Sequence, residues 1–466
     1  MLLYLQILLQ QERNKKNKQP NFVFLIGDDW TWNNIGCYGC QALTPNIDRL
    51  ASEGMVFTDA HSSAAVCSPT RYALLTGRYN WRSQLKKGVL WYWDAPLIEE
   101  DRFTIGDLLS EKGYSTACIG KWHLGWDWPS FDGRKINDKL PIGTYYKMVR
   151  DSFSANIDFT RNIANGLLTR GFDYYFGDDV PGFPPFCFIE NDRTIGVPSE
   201  EKPDSIFGYS KGGPMIKGRD WEGLLPAITD KAVQYIYGED EKGHTLREKD
   251  QPFFLYFPLS APHVPIAPVS KFKGSSMAGA YGDFVQQIDW SVGRILDAIG
   301  KMGLTDNTLI IFTSDNGSPG RDGENMVGEY NSVRKYGLNP SYIYRGTKTD
   351  VWEGGHRVPF IARWLRTIKP GSVSTETICL TDLMATCAHI IEEDLPDNAG
   401  EDSYSMLPVL KGTEYYGKFR EATVHHSNNG DFAIRQGEWK LIMCPGSGGL
   451  SRPRNEDSED EGLPVY

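Results

Sequence analysis

Four short runs of mostly apolar residues constrain the fold of this chain more than any other feature. They lie at residues 22–26, 115–119, 253–257 and 309–313, and their composition is typical of β-strands that are buried on both faces. Segments with helical patterns separate them along the chain. Alternating strands and helices form a mostly parallel sheet with helices on both sides. The sequence therefore predicts an α/β fold, with a large, mixed, mostly parallel sheet sandwiched by helices.

The helical segments are recognised by their caps and by their amphipathic patterns. Residues 283–301 place their aliphatic side chains on one helical face. Thr44 and Pro45 suit the N-cap and the first position of a helix that ends near residue 54. Further helices are predicted at residues 104–112, 221–237 and 380–391, and a further short strand at residues 358–361. We expect residues 126–250 otherwise to form loops, short helices and insertions around a pocket.

The pattern changes after about residue 412, where short segments suited to an antiparallel sheet begin. These segments are residues 422–425, 432–435 and 439–443. The chain is therefore divided into an N-terminal extension or degraded secretion signal (1–19), a main domain (20–412) and a small C-terminal subdomain (413–466). The acidic run at residues 456–461 is interpreted as a solvated loop.

Charge and cysteine content exclude several classes of protein. The net charge of −11, from 49 basic and 60 acidic residues, offers no basic face for nucleic acid. No segment is long and apolar enough to predict a transmembrane helix. Eight cysteines in 466 residues do not make a disulfide framework. Cys37 and Cys40 form one C-x-x-C pair, but a zinc site would need a second pair, so we predict ordinary, partly buried thiols there.

Polar side chains follow the predicted strands near the point where each strand ends. These residues are Asp28, Asp29, Lys121, His123, His263, Asp315 and Asn316. Ligands of open α/β sheets bind at the carboxyl ends of the strands. Any one of these residues could instead belong to a turn, a helix cap or a structural histidine site. Their recurrence at four strand ends nevertheless predicts a common site.

Part of this set has the chemistry of a cation site. Asp28, Asp29, Asp315 and Asn316 offer only oxygen atoms. Oxygen ligands select a hard cation, Ca²⁺ or Mg²⁺, over zinc. Three carboxylates packed together would also repel one another unless a cation were present.

The sequence Cys67-Ser68-Pro69-Thr70-Arg71 is the most informative local motif. Pro69 suits the first turn of a helix, where its missing N–H costs nothing, and Gly77 is a natural helix end. Cys67 is therefore predicted just ahead of a helix N-terminus, where free N–H groups and the helix dipole favour an anion. Arg71 adds a guanidinium one turn into the helix. The alternative for Cys67 alone is a buried structural cysteine.

These motifs resemble those of the type I, formylglycine-dependent sulfatases, an arylsulfatase-like family within the alkaline-phosphatase superfamily. The resemblance runs from residue 21 to about residue 443. It is carried by C-S-P-T-R at 67–71, L-T-G-R at 75–78, G-C-Y-G at 36–39, T-P-N-I-D at 44–48, G-K-W-H-L-G at 120–125, T-S-D-N-G at 313–317, R-G-T-K at 345–348 and E-G-G at 353–355. It implies an alkaline-phosphatase-like fold for a catalytic domain at residues 20–412. Because relatives usually continue further, it also implies that the C-terminal subdomain is truncated.

The resemblance also implies a nucleophile and a metal site. A formylglycine-generating or anaerobic maturation enzyme would oxidise Cys67 to formylglycine, and the hydrated aldehyde would attack the sulfur of a sulfate ester. Asp28, Asp29, Asp315 and Asn316, with the modified Cys67, would hold a calcium ion. Family resemblance further implies a periplasmic or secreted protein.

The remaining roles are implied in the same way. Arg71 would hold the aldehyde hydrate, and Lys121 and Lys348 would neutralise sulfate oxygens. His263 would donate a proton to the leaving alcohol, and His123 would accept one when sulfate is eliminated. The implied substrate is a sulfated carbohydrate or an aryl sulfate.

Two alternative functions stay open at this point. One is a phosphate or phosphonate monoester hydrolase of the same superfamily. The other is a sulfatase-like binding protein that is inactive because Cys67 is not modified or because the chain is truncated. Separately, the aromatic residues at 91–93, 126 and 128 either stack on sugar rings or pack in the core and rim. We assign His356 to the surroundings of the site, and predict that His425 and His426 lie on the surface of an edge strand.

Overall fold

The computed structural model describes residues 19–40, 43–137, 140–206, 211–319, 335–337, 339–413 and 419–457. Its strands are β1 (Asn21–Gly27), β2 (Met55–Phe57), β3 (Ala60–His61), β4 (Ser115–Ile119), β5 (Tyr174–Gly177), β6 (Ile189–Glu190), β7 (Arg193–Thr194), β8 (Glu200–Glu201), β9 (Pro214–Met215), β10 (Phe253–Pro258), β11 (Thr308–Ser314), β12 (Phe360–Arg363), β13 (Ser372–Ser374), β14 (Ile378–Cys379), β15 (Thr423–His426), β16 (Phe432–Gln436) and β17 (Trp439–Ile442). All the strands predicted from sequence are confirmed, with ends that differ by one or two residues.

The α-helices are α1 (Pro45–Ser52), α2 (Cys67–Thr76), α3 (Ile105–Glu111), α4 (Lys147–Ser154), α5 (Leu224–Tyr237), α6 (Gly279–Lys301), α7 (Glu353–His356), α8 (Leu383–Ile390) and α9 (Leu407–Lys411). Short 3₁₀ helices lie at Trp32–Asn34, Gly36–Tyr38, Asn80–Arg82, Leu167–Thr169, Thr305–Asn307, Leu380–Asp382 and Asn455–Asp457. The predicted helices are confirmed. Thr44 occupies the N-cap of α1 as predicted, but its side chain does not cap the helix. Asp289 of α6 accepts hydrogen bonds from the N–H groups of Asn46 and Ile47 instead.

A ten-stranded sheet forms the centre of the molecule, in the order β13-β2-β12-β11-β1-β10-β4-β5-β6-β7. Its middle strands, β11, β1, β10, β4 and β5, run parallel, whereas β12, β6 and β7 are antiparallel to their neighbours. The sheet is therefore mixed and mostly parallel in its centre, as predicted.

Helices bury both faces of this sheet. In β1, Phe22, Phe24 and Ile26 face a core to which α2, α3 and α8 contribute. Val23 and Leu25 alternate with them and face a second core, to which α1, α5 and α6 contribute. All five side chains are fully buried. This explains why the strand is a continuous apolar run instead of an alternating one.

The C-terminal strands β15, β16 and β17 form a separate antiparallel sheet, as predicted. The prediction that His425 and His426 are surface residues is wrong, because they are only 0% and 2% exposed. Both faces of β15 are covered: His425 stacks on His356, and His426 packs against Trp81. The domain boundary at residue 412 stays a prediction. Residues 1–18 and 458–466, which include most of the acidic run, lie outside the described residues.

The aromatic residues near the pocket mostly pack in the core. Tyr92, Trp93, Trp126 and Trp128 are at most 6% exposed. Trp91 is half-buried, with its ring 5.1 Å from that of Phe183. Core packing is thus favoured over sugar stacking for these residues, apart from Trp91. Cys37 and Cys40 are partly buried, as predicted. Among the described helices, none combines the length and the apolar character needed to cross a membrane.

Candidate active site

The strand order brings the predicted site residues to one edge of the sheet. The strands β4, β10, β1 and β11 are parallel neighbours, so their carboxyl ends meet at the same edge. Asp28 and Asp29 follow β1, Lys121 and His123 follow β4, His263 follows β10, and Asp315 and Asn316 follow β11. One ligand atom from each of Asp28, Asp29, Cys67 and His263 lies within 4.8 Å of the other three. Lys121 Nζ donates to Asp28 Oδ2 at 2.8 Å, and the Asp29 N–H donates to Asp315 Oδ1 at 3.2 Å, so the ends of all four strands meet at one place.

Cys67 lies in this site at the beginning of helix α2. Val66, in extended conformation, is the N-cap, so Cys67 is the first helical residue and not the residue ahead of the helix. Its Sγ donates to Asp28 Oδ1 at 3.7 Å and accepts from Lys348 Nζ at 3.6 Å. Gly77 ends the helix with φ of 62°. The free N–H groups of the first turn make this an anion-binding position.

Arg71 and Lys121 are buried cations that hydrogen bonds hold in place. Arg71 donates to Asp315 Oδ2 through Nε at 3.0 Å and Nη2 at 2.8 Å. Its Nη1 donates to the Lys121 carbonyl at 3.0 Å, which ties the α2 helix to the end of β4. Lys121 Nζ donates to Asp28 Oδ2 at 2.8 Å. Both side chains are fully buried, so their charges act with little screening by solvent.

Lys348 lies at the opening of the site, with its side chain 16% exposed. Its Nζ is 2.6 Å from Asp29 Oδ1 and 2.8 Å from Asp29 Oδ2. Asn316 Nδ2 donates to the same carboxylate at 2.7 Å. Asn316 Oδ1 is buried without a hydrogen-bond partner among the described residues. An acceptor of this kind beside three carboxylates suits a cation.

The pKa values of Asp28 and Asp315 are shifted in opposite directions. Burial by itself would raise the pKa of Asp28, but Lys121, His263 and Arg71 hold it well below its usual value. For Asp315, burial and the charge of Asp28 outweigh Arg71 and raise the pKa to about 6. A divalent cation among these oxygens would relieve the repulsion and favour the ionised forms. The residues therefore fit a hard cation by donor type, charge and the unpaired oxygen of Asn316.

The two histidines present free nitrogen atoms to the site. His263 Nδ1 donates to the Val264 carbonyl at 2.7 Å, which leaves Nε2 unprotonated, 3.7 Å from Asp29 Oδ2. His123 Nε2 donates to the Leu90 carbonyl at 2.9 Å, and its Nδ1 is buried without a partner among the described residues. Burial lowers the pKa of His263 to about 4 and that of His123 well below its usual value. Both rings are therefore neutral at pH 7.

The unmodified Cys67 is a poor nucleophile. Burial raises the pKa of its thiol to about 12, despite the nearby cations Lys121 and Lys348. The thiolate that would attack an ester is therefore nearly absent at neutral pH.

Two acidic residues of the site were missed in the sequence. Asp178 and Asp179 follow the short strand β5, which pairs with β4. Asp179 Oδ1 accepts from the His123 N–H at 3.0 Å and fixes the backbone there, where His123 has φ of 56°. Asp178 pairs with the buried guanidinium of Arg219. The signal was available, because the sequence Gly177-Asp178-Asp179 repeats the Gly27-Asp28-Asp29 ending of β1.

Comparison with known proteins agrees with this geometry. The model of the sulfatase family matches residues 20–392. The chain belongs to the sulfatase family. An N-acetylgalactosamine-6-O-sulfatase from Bacteroides thetaiotaomicron is 33% identical over 93% of this chain and 84% of its own length. Human arylsulfatase D is 30% identical over 89% of this chain and 72% of its own length.

A solved structure extends this likeness to three dimensions. A sulfatase described in the metabolism of glycosaminoglycans by Bacteroides thetaiotaomicron aligns with a TM-score of 0.78 and 29% identity. The alignment covers 96% of this sulfatase and 93% of that chain. The sulfatase is therefore a sulfuric ester hydrolase, and the predicted family, fold and enzyme class are confirmed.

Proposed function

We propose that this sulfatase removes sulfate from a sulfated carbohydrate, using formylglycine made from Cys67. The observation that carries this proposal is the position of Cys67 at the start of α2, between Asp28 and Lys348. The substrate class is supported by the 33% identical relative, whose name gives N-acetylgalactosamine 6-sulfate as its substrate. The half-buried Trp91 and Phe183, which contacts His123, supply an aromatic wall beside the site.

The metal we propose is calcium, with magnesium as the alternative. Asp28, Asp29, Asp315 and Asn316 would hold it through oxygen atoms. Such an ion would supply positive charge to a sulfate oxygen and to position 67. Lys121 and Lys348 now pair with Asp28 and Asp29, so a cation there would leave their ammonium groups for the sulfate.

Formylglycine at position 67 would supply a hydrated aldehyde, with one hydroxyl that attacks sulfur and a second that allows sulfate to be eliminated. Arg71 is fixed by Asp315 and the Lys121 carbonyl, so its guanidinium can hold the group at 67 in one orientation. Lys121 and Lys348 neutralise the charge that develops on the sulfate oxygens.

The histidines move protons at defined atoms. His263 is the proton donor to the leaving alcohol through Nε2, the nitrogen that faces the site. A bound sulfate ester adds negative charge beside this ring and raises its pKa, so that it can carry the proton. His123 accepts a proton at Nδ1 from the second hydroxyl at position 67, because its Nε2 is held by the Leu90 carbonyl.

Replacing His263 with alanine tests its role as donor. We expect kcat/KM for a sugar sulfate to fall by about 10²–10⁴-fold, the usual effect of removing a general acid. The loss should be much smaller for 4-nitrophenyl sulfate, because nitrophenolate leaves without a proton. Steady-state kinetics on both substrates measure this difference, with the exposed His244→Ala as control. Equal losses on the two substrates would contradict the donor role.

The substrate class is tested with N-acetylgalactosamine 6-sulfate, 4-nitrophenyl sulfate and 4-nitrophenyl phosphate. Protein made with a maturation enzyme is first checked by mass spectrometry of the peptide containing Cys67, where formylglycine is about 18 Da lighter than cysteine. We expect kcat/KM for the sulfates to exceed that for the phosphate by at least about tenfold. Faster phosphate release would favour the phosphate monoester alternative. Sugar binding without turnover by modified protein would favour the inactive alternative.

Two further proposals concern the maturation of the protein and its location in the cell. A formylglycine-generating or anaerobic maturation enzyme is the expected partner, because Cys67 must be oxidised before the protein is active. A periplasmic or secreted location suits the proposed carbohydrate substrate.

A further inference from the structure

A second cluster of ionisable side chains lies outside the active site. His61 of β3, His356 of α7 and His425 of β15 are each 0% exposed. We call these three residues the histidine cluster. His61 Nδ1 is 3.0 Å from His356 Nδ1, and the rings of His356 and His425 stack at 3.7 Å with an angle of 7°. The mechanism proposed above uses none of these rings.

A chain of hydrogen bonds runs through the cluster from Lys440 to Asp59. Lys440 Nζ donates to His356 Nε2 at 2.7 Å, so the proton of His356 is on Nδ1. This Nδ1–H donates to His61 Nδ1, so the proton of His61 is on Nε2 and is donated to Asp59 Oδ1 at 3.0 Å. Arg435 Nη1 lies 2.9 Å from His61 Nε2 but donates to Asp59 Oδ1 at 2.5 Å. His425 Nδ1 donates to the Ser62 carbonyl at 3.2 Å. All three rings are neutral in this arrangement.

The same contacts argue against a metal ion between the rings. The charged groups that face the cluster are Lys440, Arg435, Arg357, Asp59 and Glu353. Three cations and two anions already give one net positive charge, to which a divalent ion would add. One ring nitrogen of each histidine lies within 4.8 Å of the others, but Lys440 Nζ already donates to His356 Nε2 and the His61 and His356 Nδ1 atoms are hydrogen-bonded to each other.

The cluster joins the small sheet to the segments that carry Cys67 and Lys348. Each strand of that sheet contributes one side chain: His425 from β15, Arg435 from β16 and Lys440 from β17. On the other side, His61 precedes Cys67 by six residues, and α7 begins five residues after Lys348.

Backbone hydrogen bonds complete the connection. The Ser62 N–H donates to the His356 carbonyl at 2.8 Å, and the Ala65 N–H donates to the His426 carbonyl at 2.9 Å. The Thr349 N–H donates to the Ala65 carbonyl at 2.8 Å, which links the residue after Lys348 to the segment leading to Cys67. Displacing the cluster would therefore move both segments.

We propose that the histidine cluster positions Cys67 and Lys348 for the reaction by clamping the C-terminal sheet to their segments, and that this clamp requires all three rings to be neutral. The inference rests on the proposed roles of Cys67 and Lys348. A proton added to His61 would sit on Nδ1 and break its hydrogen bond with His356, since both Nδ1 atoms would then carry a hydrogen. A proton added to His356 would sit on Nε2 and break the hydrogen bond that this atom accepts from Lys440. A second proton on the stacked pair of His356 and His425 would place two positive charges 3.7 Å apart.

The clamp should weaken in acid. Burial lowers the pKa of His61 and holds the pKa values of His356 and His425 well below the usual value. In the unfolded chain each ring returns to a pKa of about 6.5. The folding stability that the three neutral rings contribute is therefore fully present above about pH 6.5 and is lost as the pH falls. Each ring can shift the unfolding equilibrium by up to about tenfold per pH unit.

The test compares full-length wild-type protein with His356→Gln, His356→Ala and the control His244→Gln. Glutamine can hydrogen-bond but cannot be protonated, whereas alanine removes the contacts with Lys440 and His61. Kinetics on 4-nitrophenyl sulfate and the thermal midpoint are measured from pH 5 to pH 8. Mass spectrometry of the Cys67 peptide normalises activity to the formylglycine content, so failed maturation or an inactive wild type is recognised separately as failure of the proposed function.

We expect His356→Ala to lower kcat per modified chain by at least about tenfold and to raise KM, because Cys67 and Lys348 both shift. His356→Gln should retain more activity at pH 7.5 than His356→Ala. Its thermal midpoint should fall less steeply below pH 6.5 than that of the wild type. If His356→Ala does not fold, Lys440→Gln replaces it, with the same expected loss. The proposal would be overturned if the variants had the same kinetics and the same pH dependence as the wild type. It would also be overturned if the protein bound one zinc ion tightly per chain and lost it in the His356 variants.

Discussion

Replacing Cys67 with alanine is expected to lower turnover of sulfate esters by at least about 10³-fold, because it removes the nucleophile itself. The position cannot be taken over by a neighbour. Cys67 is the first residue of α2, and the side chains around it are the Asp28 carboxylate and the cations Lys348 and Lys121, none of which is a suitable nucleophile. The measurement is the rate of sulfate release by purified protein whose Cys67 modification is known.

Cys387→Ala is the matched control for this experiment. Cys387 of α8 is also a buried free thiol, 1% exposed, but it packs in the core away from the site. Both substitutions remove one buried sulfur atom and are expected to cost about 1 kcal/mol of stability. Only Cys67→Ala should remove activity. If both variants lost activity in proportion to their stability, Cys67 would have a structural role only.

Serine at position 67 separates attack from elimination. In Cys67→Ser protein made without a maturation enzyme, the hydroxyl could accept sulfate but would have no second hydroxyl to expel it. We expect at most one equivalent of alcohol per chain and then no further turnover. Rapid-mixing measurement of 4-nitrophenol release would show this. Sustained turnover by serine would contradict the need for the hydrated aldehyde.

The sequence was sufficient to predict the central part of the site, for a topological reason. The strands β1, β4, β10 and β11 are mostly apolar and parallel, so their polar endings had to meet at one edge of the sheet. Asp28, Lys121 and Asp315 therefore came together as expected. Their hydrogen-bond pairing could not be predicted, because it depends on side-chain directions that strand order does not determine.

Contacts made by irregular segments could not be predicted. The strand β5 has four residues and lies within a long irregular region, so Asp178 and Asp179 were not recognised as a strand ending. The histidine cluster joins residues 69 to 364 positions apart in the sequence, and no local pattern predicts that β15 is covered on both faces. A strand of an antiparallel sheet commonly has one exposed face, so the sequence alone favours a surface position for His425 and His426.

Removing bound metal with a chelator is expected to lower sulfatase activity by about 10²–10³-fold, and added calcium should restore it. The carboxylates of Asp28 and Asp315 repel each other, and Asn316 Oδ1 has no protein partner among the described residues, which are the reasons to expect a cation there. Asn316→Ala should raise the calcium dissociation constant by at least about tenfold, since it removes one ligand without changing the charge. The exposed Asp297→Asn is the control. Calcium titration of activity in metal-free protein measures both effects, and full activity in protein with less than a tenth of a metal ion per chain would overturn the metal proposal.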